Sequence, residues 1–142
     1  MGTRSVIGVM HGSKAKTVYC HWDGYLSHNG MILQDHYDSP KANHLVALGD
    51  LSVLARNIEA PEGVEHTFDK PRDGVCVFYG RDRGEECSGY RTFQNEQEFV
   101  DEMSYIGCEY FYIMDDGDWY VSTGKEFTLL SQAIVLELAE QE

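Results

Sequence analysis

A chain of 142 residues is one domain, 1–142, long enough to bury a core, which excludes a multidomain machine. With 42% apolar residues, 12% aromatic residues and 3 Pro against 14 Gly, its composition is that of a folded globule and not of a disordered tail. The net charge of −13 opposes direct binding to nucleic acid or to an anionic membrane, because each phosphate contact draws on Lys or Arg; it favours a basic partner or simply solubility.

The opening Ser5–Met10 and the run Thr17–Trp22 are β-rich and read as a hairpin around the turn formers of residues 11–15. Residues 23–30, with Gly24 and Asn29-Gly30, form a loop, and Met31–Tyr37 has helical periodicity. Ser39 stands where an N-cap belongs, Pro40 takes the first helical position and Gly49 supplies a stop, so a helix is predicted over Pro40–Leu48. Asp50–Ala55 continues as a short turn or helix. Residues 57–73, with Pro61, Gly63 and Pro71, form a long connection.

Val75–Tyr79 is a continuous apolar run between Gly74 and Gly80, which predicts a central strand, and Arg81–Gly89 is a charged loop. Tyr90–Phe93 is a short strand. Asn95 then caps a helix with Phe99, Val100 and Met103 on one face and Glu96, Glu98, Asp101 and Glu102 on the other. Cys108–Met114 and Trp119–Ser122 are strands joined through Asp115-Asp116-Gly117-Asp118, where the Asp-Gly pair signals a hairpin. Ser131–Glu142 closes the chain as an amphipathic helix built on Ile134, Leu136 and Leu138, with Ala133 and Ala139. The sum is an α+β single domain, an antiparallel sheet of about five strands with two to four helices in two layers.

No run approaches the roughly 20 apolar residues of a membrane span, and Met1–Val6 lacks the apolar stretch of a signal peptide; a soluble, intracellular protein is expected. The four cysteines form no C-x-x-C pair, against a zinc ribbon or a thioredoxin-type motif. Cys20, Cys76 and Cys108 lie in apolar runs and read as reduced, buried hydrophobes. Cys87, in the charged loop, reads as an exposed thiol whose acidic neighbours disfavour the thiolate.

Charge and histidine divide the chain. Residues 1–60 are neutral in sum and hold His11, His21, His28, His36 and His44, while residues 61–142 carry the whole charge of −13 and only His66. In Tyr19-Cys20-His21-Trp22-Asp23-Gly24-Tyr25, positions two apart on a strand share a face, so His21 and Asp23 could project together. With His28 or His36 they could form a divalent-metal site. His21, Trp22, Asp23 and Tyr25 could instead line a metal-free ligand pocket, or Asp23 and Gly24 could simply turn the chain while Trp22 or His21 packs inside.

Arg81 and Arg83, flanked by glycines, could present two guanidinium forks to a phosphate or carboxylate, with Trp22, Tyr25 or Tyr79 stacking on a base beside them. The competing reading pairs these arginines with Asp82, Glu85 and Glu86 in a surface network. From Gln94 to Thr123 there is no Lys or Arg, while Glu96, Glu98, Asp101, Glu102, Glu109, Asp115, Asp116 and Asp118 supply carboxylates. Such a face could imitate a DNA backbone toward a basic partner groove, or be an ordinary solvated face. The Asp115–Asp118 run lacks the distal Glu of a calcium loop and reads as a turn. No nucleophile elbow, Walker A motif or dinucleotide glycine fingerprint occurs.

Taken together, Thr3–Ile7, Tyr19–Tyr25, Asn29-Gly30, His36-Tyr37, Leu48–Ser52 and Tyr79–Glu85 resemble a family of small accessory proteins encoded by tailed bacteriophages and prophages. The resemblance covers roughly residues 1–120 and brings no activity with it. It implies expression in the cytoplasm of an infected bacterium and a protein that inhibits a host or defence factor. Such a protein would occupy a partner's surface with its acidic face or sequester a small nucleotide, without a cofactor; self-association stays open. A metal-dependent hydrolase or nucleotide-processing enzyme on His21, Asp23, His28 and His36 is the other class.

Overall fold

The computed structural model describes residues 3–84, 91–124 and 126–140. Eight strands and four helices follow one another as β1 (Ser5–His11), β2 (Lys14–Cys20), α1 (Met31–His36), α2 (Ser39–Ala47), β3 (Leu51–Val53), β4 (Val77–Phe78), β5 (Arg91–Phe93), α3 (Glu96–Tyr105), β6 (Tyr110–Asp115), β7 (Asp118–Ser122), β8 (Thr128–Leu129) and α4 (Leu130–Glu140). A π-helical turn, Leu26–Gly30, runs straight into α1. The α+β class holds, but the sheet is larger than expected and mixed. Its order is β4-β3-β2-β1-β6-β7-β8, with β5 also on β2. β1–β2 and β6–β7 are antiparallel hairpins, yet β1 lies parallel to β6 and β2 parallel to β3. Hairpin signals are local, whereas the Ser5↔Tyr110 register joins residues a hundred positions apart, so only the folded chain decides that direction.

Both faces of the sheet are covered, which replaces the expected two layers with three. Alternate side chains of β1 and β6 feed different cores: Ile7, Val9, Tyr112 and Met114 pack with α1, α2 and α4, while Val6, Phe111 and Ile113 pack with Phe99, Val100 and Met103 of α3. The α3 face was legible in the sequence, and Asn95 caps it by accepting from the Glu98 N–H.

Four local expectations are corrected. Asp38, not Ser39, caps α2: its extended backbone lets its carboxylate accept from the Lys41 N–H at 3.0 Å. Leu51–Val53 is a strand, because pairing with Cys20 and with β4 overrides a short turn-like sequence. The run around Val77-Phe78 ends the sheet path instead of occupying its centre; it is buried because Cys76 and Phe78 enter the helix-side core and Arg81 stacks on Phe78. In α4, Leu130, Ala133 and Ile134 face the core, a phase that turns Leu136 and Leu138 outward with Val135.

Two turns show why their residues are there. Asp116 and Gly117 both take positive φ, 51° and 84°, the conformation of a tight hairpin turn twisted in the sense of its strands. Gly24 sits where a Cβ would lie 2.7 Å from the Ser5 Cβ and 2.9 Å from the Thr3 carbonyl oxygen, and its N–H donates to that same oxygen. Gly24→Ala should therefore cost about 1–3 kcal/mol of overpacking, read as a lowered denaturant midpoint with unchanged m-value; full stability would show that the N-terminal segment gives way.

Candidate functional site

The segment Tyr19–Tyr25 is a loop scaffold. β2 ends at Cys20, the His21 and Trp22 N–H groups donate to the carbonyls of Leu51 and Ser52, and Asp23 turns the chain at φ 56°. His21 and Asp23 therefore do not share a strand face. His21 Nδ1 lies 2.7 Å from the Tyr19 hydroxyl and its ring meets Trp22 edge-on, while Trp22 and Tyr25 stand exposed. The centre of this loop is Asn29, fully buried. Its Nδ2 points at Ser5 Oγ, Cys20 Sγ and the Trp22 carbonyl over 3.3–3.4 Å, and its Oδ1 lies 2.9 Å from His28 Nδ1. Tyr112 Oη, from the sheet, donates to the Gly24 carbonyl at 2.6 Å. Burial pushes the Cys20 and Cys108 thiols up to about 12, so both stay protonated at neutral pH. Cys87 lies outside the described residues.

Arg81 turns inward. Its Nε and Nη2 donate to the two oxygens of Asp82 at 2.9 and 3.0 Å, and it also reaches the carbonyls of Ile58 and Cys76. Asp82 accepts a further bond from the Phe78 N–H and lies 3.4 Å from His66 Nε2. The His66 Nδ1 accepts from the Arg72 N–H, which assigns the ring proton to Nε2, 2.9 Å from the Cys76 carbonyl. This network ties residues 58–72 of the long connection to β4. Arg83 faces different surroundings: its guanidinium lies over the Phe68 ring, beside a small cavity shared with Thr67 and Asp69. The pair of forks read from the sequence is thus divided, and the Asp82 half of the surface network is realised as a largely buried bidentate pair; Glu85 and Glu86 lie outside the described residues.

A cleft of about 520 Å³ lies elsewhere. The continuous helical segment through residue 36 presents His28, Ile32 and His36 to it, four residues apart each time and so on one face. The second wall is β3 and its extension, residues 53–56, and the third is the loop 71–75 with Val77. Its floor is fixed from beneath: Tyr37 Oη donates to the Ala55 carbonyl at 2.7 Å and Cys76 Sγ lies 3.2 Å from the Ala55 N. Burial keeps both the Tyr37 hydroxyl and the Cys76 thiol well above their ordinary pKa values, so they hold their protons as donors.

Among the described residues, the cleft's charged groups are Arg56, Arg72 and Asp73. The Arg56 carbonyl accepts from Lys41 Nζ, and its guanidinium makes no hydrogen bond or ion pair with the described residues. Arg72 Nε donates to the Glu65 carbonyl at 3.1 Å. Of the sequence candidates, only His28 and His36 reach this cleft. Arg56 and Arg72 were missed because they stand sixteen positions apart across irregular chain and no spacing rule links them. Among the described residues, no three His, Cys, Asp or Glu side chains gather as a metal-ligand set.

The acidic candidates lie on other surfaces. Glu98, Asp101 and Glu102 are exposed on α3, and Asp115, Asp116 and Asp118 are exposed at the β6–β7 turn; the Glu96 side chain lies outside the described residues. Phe93 pairs with Ala15 and Met114 lies level with Val9, so the start of α3 and the β6–β7 turn share the end of the sheet that carries the β1–β2 turn. Among the described residues no helix is long and apolar enough to cross a membrane.

No family model matches this chain, and no curated protein or solved structure matches it.

Burial alone would raise the Asp82 carboxyl, but the hydrogen bonds from Arg81 and the Phe78 N–H, with the Arg81 charge and His66, outweigh it and hold the group below the usual carboxylate range. A depressed carboxylate contributes stability at pH values above its unfolded pKa, about 3.9, and that contribution is lost as pH falls through the folded value. Asp82→Asn should therefore destabilise at pH 7, by about 3 kcal/mol for a broken buried pair. It should also flatten the acid limb of the stability–pH curve below about pH 4. An unchanged acid limb would show that other carboxylates govern it.

Proposed function

We propose that this chain is a binding protein that captures a small anionic molecule in the cleft between α1, β3 and the loop 71–75. The observation that carries this reading is electrostatic: in a chain of net charge −13, two arginines from separate segments line one concavity, beside two histidines, against a single aspartate among the described residues. An arginine held at an apolar cleft offers charge-assisted, bidentate hydrogen bonds to phosphate or carboxylate. The phage-like segments add the setting, in which capture withdraws a signal from an infected bacterium or inhibits a host defence factor. The hydrolase reading loses support, because His21 and Asp23 lie outside the cleft that holds His28 and His36. Calorimetric titration with cyclic and linear nucleotides and with short carboxylates tests the capture. Each of Arg56→Ala and Arg72→Ala should weaken binding about tenfold or more, as expected for a lost charge-assisted bond of roughly 1.5–3 kcal/mol, with the circular-dichroism spectrum unchanged. Absence of binding by the wild type at millimolar ligand, or binding by both variants with wild-type affinity, refutes it.

A second reading rests on the acidic end of the sheet, where the start of α3 and the β6–β7 turn expose carboxylates together. Toward a basic groove of a bacterial protein such a surface would bind with steep salt dependence, since exposed charges are screened beyond about 8–10 Å at physiological ionic strength. Reversing Glu98, Asp101 and Glu102 to Lys should abolish association with any partner recovered from infected cells. A triple variant that binds with wild-type affinity removes this reading.

A further inference from the structure

The walls of the cleft say more about its ligand than its charge does. Every apolar side chain that lines it is aliphatic: Ile32, Val53, Leu54, Ala55, Val75 and Val77, with Pro71 at the rim. Among the described residues, no Phe, Tyr or Trp takes part. Trp22 and Tyr25 point to solvent beside the Tyr19–Asn29 loop, Phe68 and Tyr79 pack against each other, and Tyr37 is buried beneath Ala55. Nucleobases are held largely by stacking on flat π faces. Here the aromatic rings among the described residues are His28, whose Nδ1 is occupied by Asn29, and His36.

The polar and apolar groups are also sorted by depth. Leu54, Ala55, Val75 and Val77 are buried, at 8% exposure or less, while Arg56, Arg72, Asp73 and His36 are exposed. The polar and charged groups thus ring the mouth and the hydrocarbon forms the floor. A ligand complementary to that gradient carries its anionic group at one end and an apolar body at the other.

We infer that the cleft receives an amphiphilic anion, an acyl chain ending in a carboxylate or phosphate, with the head group at Arg56 and Arg72 and the chain against Ile32, Leu54, Val75 and Val77. This rests on the anion-capture reading and narrows it against a nucleotide. The reason for the preference is energetic. Each methylene taken out of water contributes a near-constant increment, so an aliphatic floor selects for chain length, and it offers a polar purine or pyrimidine edge no hydrogen-bond partner.

The test is a chain-length series. Linear alkyl carboxylates from butanoate to decanoate, and the matching alkyl phosphates, are titrated calorimetrically below their micelle concentrations, beside the nucleotide panel. Affinity should rise about fourfold per methylene until the cleft is filled. The matching primary alcohols should bind at least tenfold more weakly, and Arg56→Ala should remove most of that head-group difference. The carboxylate and phosphate arms show which head group the rim prefers. Ile32→Ser, at a half-buried position on α1, should flatten the chain-length slope while retaining the dependence on Arg56, with folding checked by thermal melt. A flat series in the wild type overturns the acyl inference whatever the nucleotides do. Nucleotide binding that depends on Arg56, with a flat acyl series, overturns it while upholding anion capture. Binding of neither class overturns both.

Discussion

Strand β1 is the constraint on which the other elements depend. Ser5 through Val9 are buried in succession, as in a strand covered on both faces, and β1 pairs antiparallel with β2 on one edge and parallel with β6 on the other. Its alternation assigns Val6 to the core under α3 and Ile7 and Val9 to the core under α1, α2 and α4. A slip of one residue in the β1–β6 register would exchange those two sets and place Tyr112, whose hydroxyl reaches Gly24, on the wrong face. The two cores and the position of the 21–30 loop are therefore set by one pairing.

From that frame the cleft is assembled in two steps. The Asn29 amide, drawing Ser5, Cys20 and Trp22 together, fixes the loop from which the π-helical turn and α1 emerge, and so fixes the face that carries His28, Ile32 and His36. The opposite wall comes from a segment with little regular structure. There the Arg81–Asp82–His66 network, reaching the Arg72 N–H, replaces the strand ladder as the means of satisfying buried backbone groups. A largely buried ion pair is weak evidence of net stability, but here the same two side chains bond the Ile58 and Cys76 carbonyls and the Phe78 N–H of a wall that lacks a ladder.

The division of labour among the charged residues follows from their surroundings. Arg81, with carbonyls and a carboxylate in reach, is consumed by the fold. Arg56 keeps its guanidinium at the cleft because Lys41 and Tyr37 hold only the backbone around it. Part of the acidic surplus of residues 61–142, namely Glu98, Asp101, Glu102, Asp115, Asp116 and Asp118, is displayed on α3 and the β6–β7 turn.

Some of this could be read from the residues alone, and for a common reason: the signals are local. The β1–β2 and β6–β7 hairpins, the α2 and α3 segments, the Asn95 cap and the inward set Phe99, Val100 and Met103 depend on neighbours within a few positions. The role of Tyr19–Tyr25 was half legible; the density of polar and aromatic residues marked a special segment, but its hub, Asn29, is special only through contacts from β1 and β2. What the tertiary structure alone decided is non-local. The parallel β1–β6 and β2–β3 pairings, the strand at Leu51–Val53, the second covered face of the sheet and the phase of α4 all arise from contacts between distant positions. So does the meeting of His28, His36, Arg56 and Arg72 in one cleft. Local propensities are worth fractions of a kcal/mol per residue, and burial against a remote partner outweighs them. The sequence by itself thus determined the class of elements and the distribution of charge. The folded chain decided which arginine is taken up by the fold and which keeps its guanidinium at a cleft, because that depends on which carboxylates and carbonyls come within 3 Å of each.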